Sequence, residues 1–198
     1  MNAKKIVSLI LVICLAMAVG IGGTLAWLKD STNTVTNTFV IGSIDIDLYE
    51  HEYIAESNSL NTSVEVRNDS NDDYKIVPGN VMPKDPTVVV AANSEACYLF
   101  IKVVATDVEG LLDYAIAEGW TELSSGSGVY YREVAASDED QPFNVLKDKQ
   151  VSVSRDLSKA EADAAITGGK KPSLKFTAYA VQQAHLSVTE AWTLFNQQ

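Results

Sequence analysis

Zinc-assisted hydrolysis is the chemistry most directly readable from residue spacing, and it needs three protein ligands with a fourth position left open. This 198-residue chain has two histidines, His51 and His185. His51-Glu52 is followed by Tyr53-Ile54-Ala55, so the His-Glu-x-x-His pattern is absent. A zinc site would need both histidines and a carboxylate brought together over a long separation. Both histidines are expected to be solvated, His51 just past a strand end and His185 in a loop before the last helix. Asp69-Ser70-Asn71-Asp72-Asp73 sets oxygen ligands at positions 1, 3 and 5 of a calcium loop. It lacks the turn glycine, because Tyr74 stands there, and Asn80 occupies the place of the bidentate Glu. It reads as a solvated acidic turn, and Ser137-Asp138-Glu139-Asp140 reads as a loop, with weak calcium binding as the alternative at either. Asp45 and Asp47 share one strand face, as paired acid–base carboxylates would, but plain alternation explains them as a wet face. Cys97 heads an apolar strand and reads as a buried thiol, with an intermolecular disulfide as its alternative. Gly168-Gly169-Lys170-Lys171 runs into Pro172 rather than a helix, so it is a turn and not a phosphate loop. From these residues the chain is no enzyme and has no cofactor or metal site.

The elements that would position these residues are mostly strands. In Gly42–Leu48, Ile44, Ile46 and Leu48 alternate with Ser43, Asp45 and Asp47, giving one dry and one wet face. Thr62–Arg67 repeats the alternation with Val64 and Val66. Pro86–Ala92 and Ala96–Ala105 are nearly all apolar and are expected to be covered on both faces. Val129–Val134, Pro142–Leu146, Val151–Ser154 and Ser173–Gln182 complete the strands, with turns at Asn68–Asp73, Pro78–Asn80, Ser124–Gly128 and Gly168–Pro172. Three helices are expected: Leu111–Ala117, ending at Gly119, then Ser158–Ile166 and Val188–Gln197. The last two open on Ser158-x-x-Glu161 and Ser187-x-x-Glu190, in which Ser and Glu satisfy first-turn N–H groups reciprocally. Val188, Ala191, Trp192 and Phe195 form the apolar stripe of the last helix. Phe100, Ile101, Val103, Phe176 and Trp192 are expected in the core. Many short strands without βαβ alternation imply an all-β fold, an antiparallel β-sandwich or jelly roll with two or three short peripheral helices.

The N-terminus reads as an address. Lys4 and Lys5 precede the apolar run Ile6–Val19. Gly20, Gly22 and Gly23 end it, and Thr24-Leu25-Ala26 offers small residues for a signal peptidase. Residues 1–26 are therefore expected to be a signal peptide cut between Ala26 and Trp27. The alternative is a retained anchor, since Ile6–Leu28 holds no charge over 23 residues. Cleavage leaves 13 basic and 26 acidic side chains, a net charge of −13 against −11 for the whole chain. A chain that acidic has no electrostatic footprint for nucleic acid and is repelled by anionic lipid.

Gly22-Gly23-Thr24, Ala26-Trp27, Asp30, Asn37-Thr38-Phe39, Gly42 and Ile44-Asp45-Ile46 follow one another in an order that resembles the N-terminus of the TasA and camelysin (CalY) family. These are Gram-positive matrix-fibre proteins exported through the SipW-type signal peptidase. Ile76–Gly79, Lys84–Val88, Ala96–Tyr98, Leu112–Tyr114 through Trp120, Tyr130–Arg132 and Ala178–Gln182 also resemble the family. The resemblance implies a jelly-roll-like sandwich over residues 42–198. It also implies a secreted structural subunit of extracellular matrix or cell-surface fibres, in which an N-terminal strand of one subunit completes the sheet of the next. Residues 27–41 would be that donor. Trp27–Phe39 is rich in Thr and Asn, lacks Pro and Gly, and carries only Lys29 and Asp30 as charges. Val35 and Phe39 are its candidate anchors. The implied partners are other copies of the chain and, during export, the SipW-type peptidase, with no stable membrane insertion after cleavage. The alternatives are a camelysin-like surface metalloprotease and a monomeric secreted binding or adhesion module.

N-terminal sequencing of exported material is expected to begin at Trp27. Ala26→Asp should block cleavage, because the −1 position accepts only small neutral residues, and exported chain beginning at Met1 would instead show a retained anchor.

Overall fold

An apolar strand with no polar alternation must be covered on both faces, and Cys97–Thr106 is the strand around which the described residues are arranged. The computed structural model describes residues 43–67, 74–169, 172–183 and 185–195. The expected cleavage site at Ala26 and Trp27, the leader anchors Val35 and Phe39, and the acidic turn Asp69–Asp73 lie outside them.

In chain order the strands are β1 (Ile46–Ile54), β2 (Ser59–Val66), β3 (Val81–Pro83), β4 (Thr87–Val90), β5 (Cys97–Thr106), β6 (Leu112–Asp113), β7 (Thr121–Glu122), β8 (Val129–Val134), β9 (Gln141–Asn144), β10 (Gln150–Val153) and β11 (Ser173–Gln182). The helices are α1 (Lys159–Thr167) and α2 (Val188–Phe195). Every strand pairing among the described residues is antiparallel. One sheet runs β2-β1-β4-β9, a second β11-β5-β8-β7, and a small third β3-β10-β6. The fold is all-β.

The two four-stranded sheets face each other across the main core. Ile44, Ile46 and Leu48 at β1 and Val88 and Val90 on β4 meet Cys97, Leu99, Ile101 and Val103 on β5, with Val134 on β8 and Phe176, Ala178 and Ala180 on β11. The alternate residues of β5, Tyr98 and Phe100, point the other way, into a second cluster closed by Ala191, Trp192 and Val188 of α2. Strand β5 is thus covered on both faces over its first half, as expected, but Lys102, Val104 and Ala105 are exposed, so the expected double cover of Ala96–Ala105 fails over the second half. Strand β4 departs from that expectation: Val88 and Val90 are in the core, but Val89 is half-buried on the outer face.

Both capping boxes form. Ser158 N–H donates to Glu161 Oε2 at 2.8 Å while Glu161 N–H donates to Ser158 Oγ at 3.2 Å. Ser187 and Glu190 repeat the arrangement at 2.8 and 3.4 Å. Those hydrogen bonds hold the Glu161 and Glu190 carboxyls below the usual glutamate range.

The expected helix at Leu111–Ala117 is not formed. Leu112 pairs with Val153 in β6–β10, Ile116 bridges Leu146, and the backbone of Ala115 and Ala117 bonds Lys147 and Val145. Tertiary pairing with a neighbouring segment outweighs the local helical preference of a stretch too short to nucleate alone. Strand β1 also runs six residues past its expected end at Leu48, to Ile54. Its second half pairs with β2 where its first half pairs with β4.

Of the expected core residues, Phe100, Ile101 and Val103 are buried, whereas Phe176 and Trp192 are half-buried. Phe100→Ala should therefore lose about 3–5 kcal/mol in urea unfolding. Phe176→Ala should lose clearly less, since Phe176 keeps part of its surface in water. Equal losses would place the two rings in equivalent surroundings.

Candidate functional site

The outer strands differ in how they meet solvent, and strand edges carry unpaired N–H and C=O groups that invite another strand. Strand β7 has two residues, β9 has four and includes Pro142, and β3 has three and ends in Pro83. Strand β2 is longer, but its register breaks: His51 pairs with Glu65 and Glu52 with Asn61, leaving Thr62–Val64 out of the ladder. Strand β11 has none of these devices. Its ten residues pair with β5 in unbroken register from Ser173↔Thr106 to Gln182↔Cys97, it contains no proline, and it ends its sheet. Its other edge has no strand partner among the described residues. Lys175 is its only charge.

The described chain begins near one end of that edge. Glu95 N–H donates to Ser43 O at 3.1 Å, and Gln183 N–H donates to Ala96 O at 3.0 Å. The chain therefore enters the sheets at the end where β11 leaves them.

His51 is not a solvated residue past a strand end. It lies inside β1, its side chain is 18% exposed, and its Nδ1 donates to Asp85 Oδ2 at 2.6 Å. The reason is in the ladder. Tyr49 pairs with Thr87, so continuing the register would set His51 opposite Asp85. Pro86 has no N–H and stops the ladder there. The carboxylate of Asp85, 4% exposed, takes over: its Oδ1 accepts the His51 backbone N–H at 3.0 Å. Next to it Lys84 Nζ donates to Glu50 Oε2 at 2.8 Å, with Lys84 lying over the rings of Tyr74 and Phe176. Burial pushes the Tyr74 hydroxyl up from the usual tyrosine range. In the sequence Asp85 enters only as part of the Lys84–Val88 resemblance and carries no role, although an acidic residue directly before a strand-opening proline is a readable signal.

The strand register keeps the two histidines apart. His51 is joined to Asp85 beside Lys84, which covers Phe176, whereas exposed His185 follows Gln183 beyond the far end of β11. Phe176 to Gln182 alone spans about 20 Å of extended strand. Among the described residues no group of three or more His, Cys, Asp or Glu is placed to hold a metal ion. In the Ser137–Asp140 loop, Ser137 Oγ accepts the Glu139 N–H at 3.0 Å and closes a local turn, while Asp140 Oδ1 accepts the Ala92 N–H at 2.8 Å and ties the loop to the segment just after β4. Asp45 and Asp47 do lie on the outer face. With Tyr49, Glu65, Arg67, Val89, Asp140 and Pro142 they line an open groove of about 430 Å³, and Asp47 pairs with Arg67 at 2.8 Å.

Cys97 is free and fully buried, and burial pushes its thiol up to about 11. No helix among the described residues is long and apolar enough to cross a membrane. No family model, no curated protein and no solved structure matches the chain.

Because the Cys97 thiol is held neutral in the fold, its contribution to stability is complete below the unfolded thiol pKa, near 9, and is lost as pH rises through about 11. Alkylation of native protein at pH 8 should leave Cys97 unmodified, while unfolded chain reacts at once. Equal rates would show that the first strand turn of β5 opens freely.

Proposed function

We propose that the chain is a secreted, non-enzymatic structural subunit that assembles into extracellular matrix or surface fibres by adding a strand of one copy to the sheet of the next. The observation that carries this reading is β11, a ten-residue edge in unbroken register without proline or bulge. Such an edge offers a full row of main-chain donors and acceptors, and main-chain bonds supply the affinity of strand addition.

The N-terminal resemblance supplies the partner. Residues 27–41, freed by SipW-type cleavage between Ala26 and Trp27, are the donor, and Val35 and Phe39 its apolar anchors. At about 3.3 Å per residue this segment is long enough to run the whole length of β11. It joins the described residues at the end of the sheets where β11 finishes. The jelly-roll topology implied by the resemblance goes with the same reading, as do secretion and self-association as the working partnership. The outer-face groove around Tyr49 favours a second reading, a monomeric binding module. In that case the leader pairs with β11 of its own copy and the groove takes a ligand.

Deleting Trp27–Thr36 separates the two. If the leader is donated to a neighbour, the deleted protein should fold as a monomer and form no fibres by electron microscopy. Added leader peptide should cap growth of the full mature chain, and Val35→Pro should act nearly like the deletion by removing a ladder donor. Fibres of ordinary length from the deleted chain would sink the donor mechanism, and a deleted chain that fails to fold would place the leader in its own sheet.

A further inference from the structure

The side of the sheets away from β11 is built differently, and one residue on it is out of place. Strand β8 alternates regularly. Val129 and Tyr131 join the cluster under α2, while Tyr130 and Val134 join the core between the sheets. Arg132 shares the inward parity of Tyr130 and Val134, so a guanidinium points between two apolar sheets. None of the ion pairs among the described residues includes it, and its Nε is buried without a hydrogen-bond partner. Burial pushes the group down from the usual arginine range.

Aromatic faces hold it in place. The guanidinium carbon lies 4.0 Å from the centre of the Phe143 ring on β9 and 5.3 Å from that of Trp120. Trp120 precedes β7 and, in register, falls opposite Arg132, because Thr121 pairs with Tyr131. Its Nε1–H crosses to the other sheet and donates to Asn144 O at 2.8 Å. Gly119 leaves room for the arrangement: it has φ +85°, and a Cβ there would meet Arg132 Nη2 at 3.0 Å. Beyond two-residue β7, the outer edge of Arg132–Val134 has no strand partner among the described residues.

We infer that the Trp120–Arg132–Phe143 stack is a guard that denies the β8/β9 side to strand addition by another copy, leaving β11 as the accepting edge so that assembly proceeds in one line. The inference rests on the fibre reading. A strand docking on Arg132–Val134 would cover the half-buried guanidinium and strip its remaining water without offering a counter-charge. An inward-pointing charge beside an open edge is a recognised way for sheet proteins to prevent edge-to-edge association. Pro142 on β9 blocks the facing edge in the other sheet by a second route.

The test uses the full mature chain with Arg132→Met, which keeps a flexible stem over Phe143 but removes the charge, and Arg132→Lys, which keeps the charge. Wild type and Arg132→Lys should give single filaments of one width. Folded Arg132→Met should give laterally joined filaments with at least a doubling of mass per unit length by scanning transmission electron microscopy. Folded Arg132→Met with wild-type filaments would overturn the guard, and so would folded Arg132→Met that cannot polymerise, since Arg132 would then belong to the accepting surface. Should that variant fail to fold, hydrogen exchange on wild-type fibres decides. The guard requires the outward amides of Arg132–Val134 to exchange as fast in fibres as in monomer while those of β11 become protected, and protection at both edges overturns it. Should wild type form no fibres, the fibre reading fails by itself. The guard is then judged by sedimentation: heavier Arg132→Met than wild type at equal concentration supports it, and equal sedimentation overturns it.

Discussion

Strand β5 has no face to give to water along its first half. Cys97, Leu99 and Ile101 are fully buried on one side, and Phe100 is fully buried with Tyr98 on the other. That single constraint dictates the layers. One face requires a second sheet, supplied by β1 and β4 with their inward Ile46, Leu48, Val88 and Val90. The other requires a cover, supplied by α2 through Ala191 and Trp192. It also fixes lateral order, because a strand buried on both faces is stable in the middle of a sheet, with neighbours on each side. Strand β11 takes one side over its full length and β8 the other. The position of β11 at the margin is therefore a consequence of β5 being central.

The two sides of the sheets are then finished with unequal care. On the β8/β9 side the segment Ala115–Ala117 bonds to Val145 and Lys147, Trp120 bridges to Asn144, and Arg132 fills the gap. On the β11 side the cross-links gather at one end, where Lys84 reaches Glu50 and covers Phe176, and His51 holds Asp85. These pairs replace the β1–β4 ladder where Pro86 interrupts it. They anchor the β3–β4 connection and leave the β11 backbone edge untouched. A protein selected only to remain monomeric would gain from placing a proline or a bulge in a ten-residue edge.

Much of this was legible in the sequence because alternation reports faces directly. The inward set Ile44, Ile46 and Leu48, the doubly covered start of β5, and both Ser-x-x-Glu helix starts follow from local pattern. What could not be read is what non-local pairing decides. Leu111–Ala117 has helical character alone and becomes strand and bridge only because Val153 and Leu146 lie beside it. The apolar alternation stops at Leu48, so His51 reads as solvated, yet the polar run after Leu48 is a strand that changes partner from β4 to β2. Arg132 was readable in principle: in Val129–Val134 it stands on the parity of Tyr130 and Val134. A charge on a dry face breaks the pattern, and such breaks are where function or specificity is to be sought.

The charge balance bears on how such subunits could meet. At −13 after the proposed cleavage, two copies repel each other once they come within about a Debye length, about 8 Å at physiological ionic strength, and are screened from each other beyond it. Main-chain hydrogen bonding acts only at contact. Association therefore needs a segment able to reach across that zone carrying little charge of its own, and residues 27–41 hold one Lys and one Asp. The folded bodies would keep their acidic faces apart while a neutral strand joins them, and the groove lined by Asp45, Asp47, Glu65 and Asp140 adds to that separation on the outer face of its sheet. In the proposed fibre, repulsion between bodies and attraction through one neutral strand would act in the same direction as the Arg132 stack, favouring a line of subunits over a mass of them.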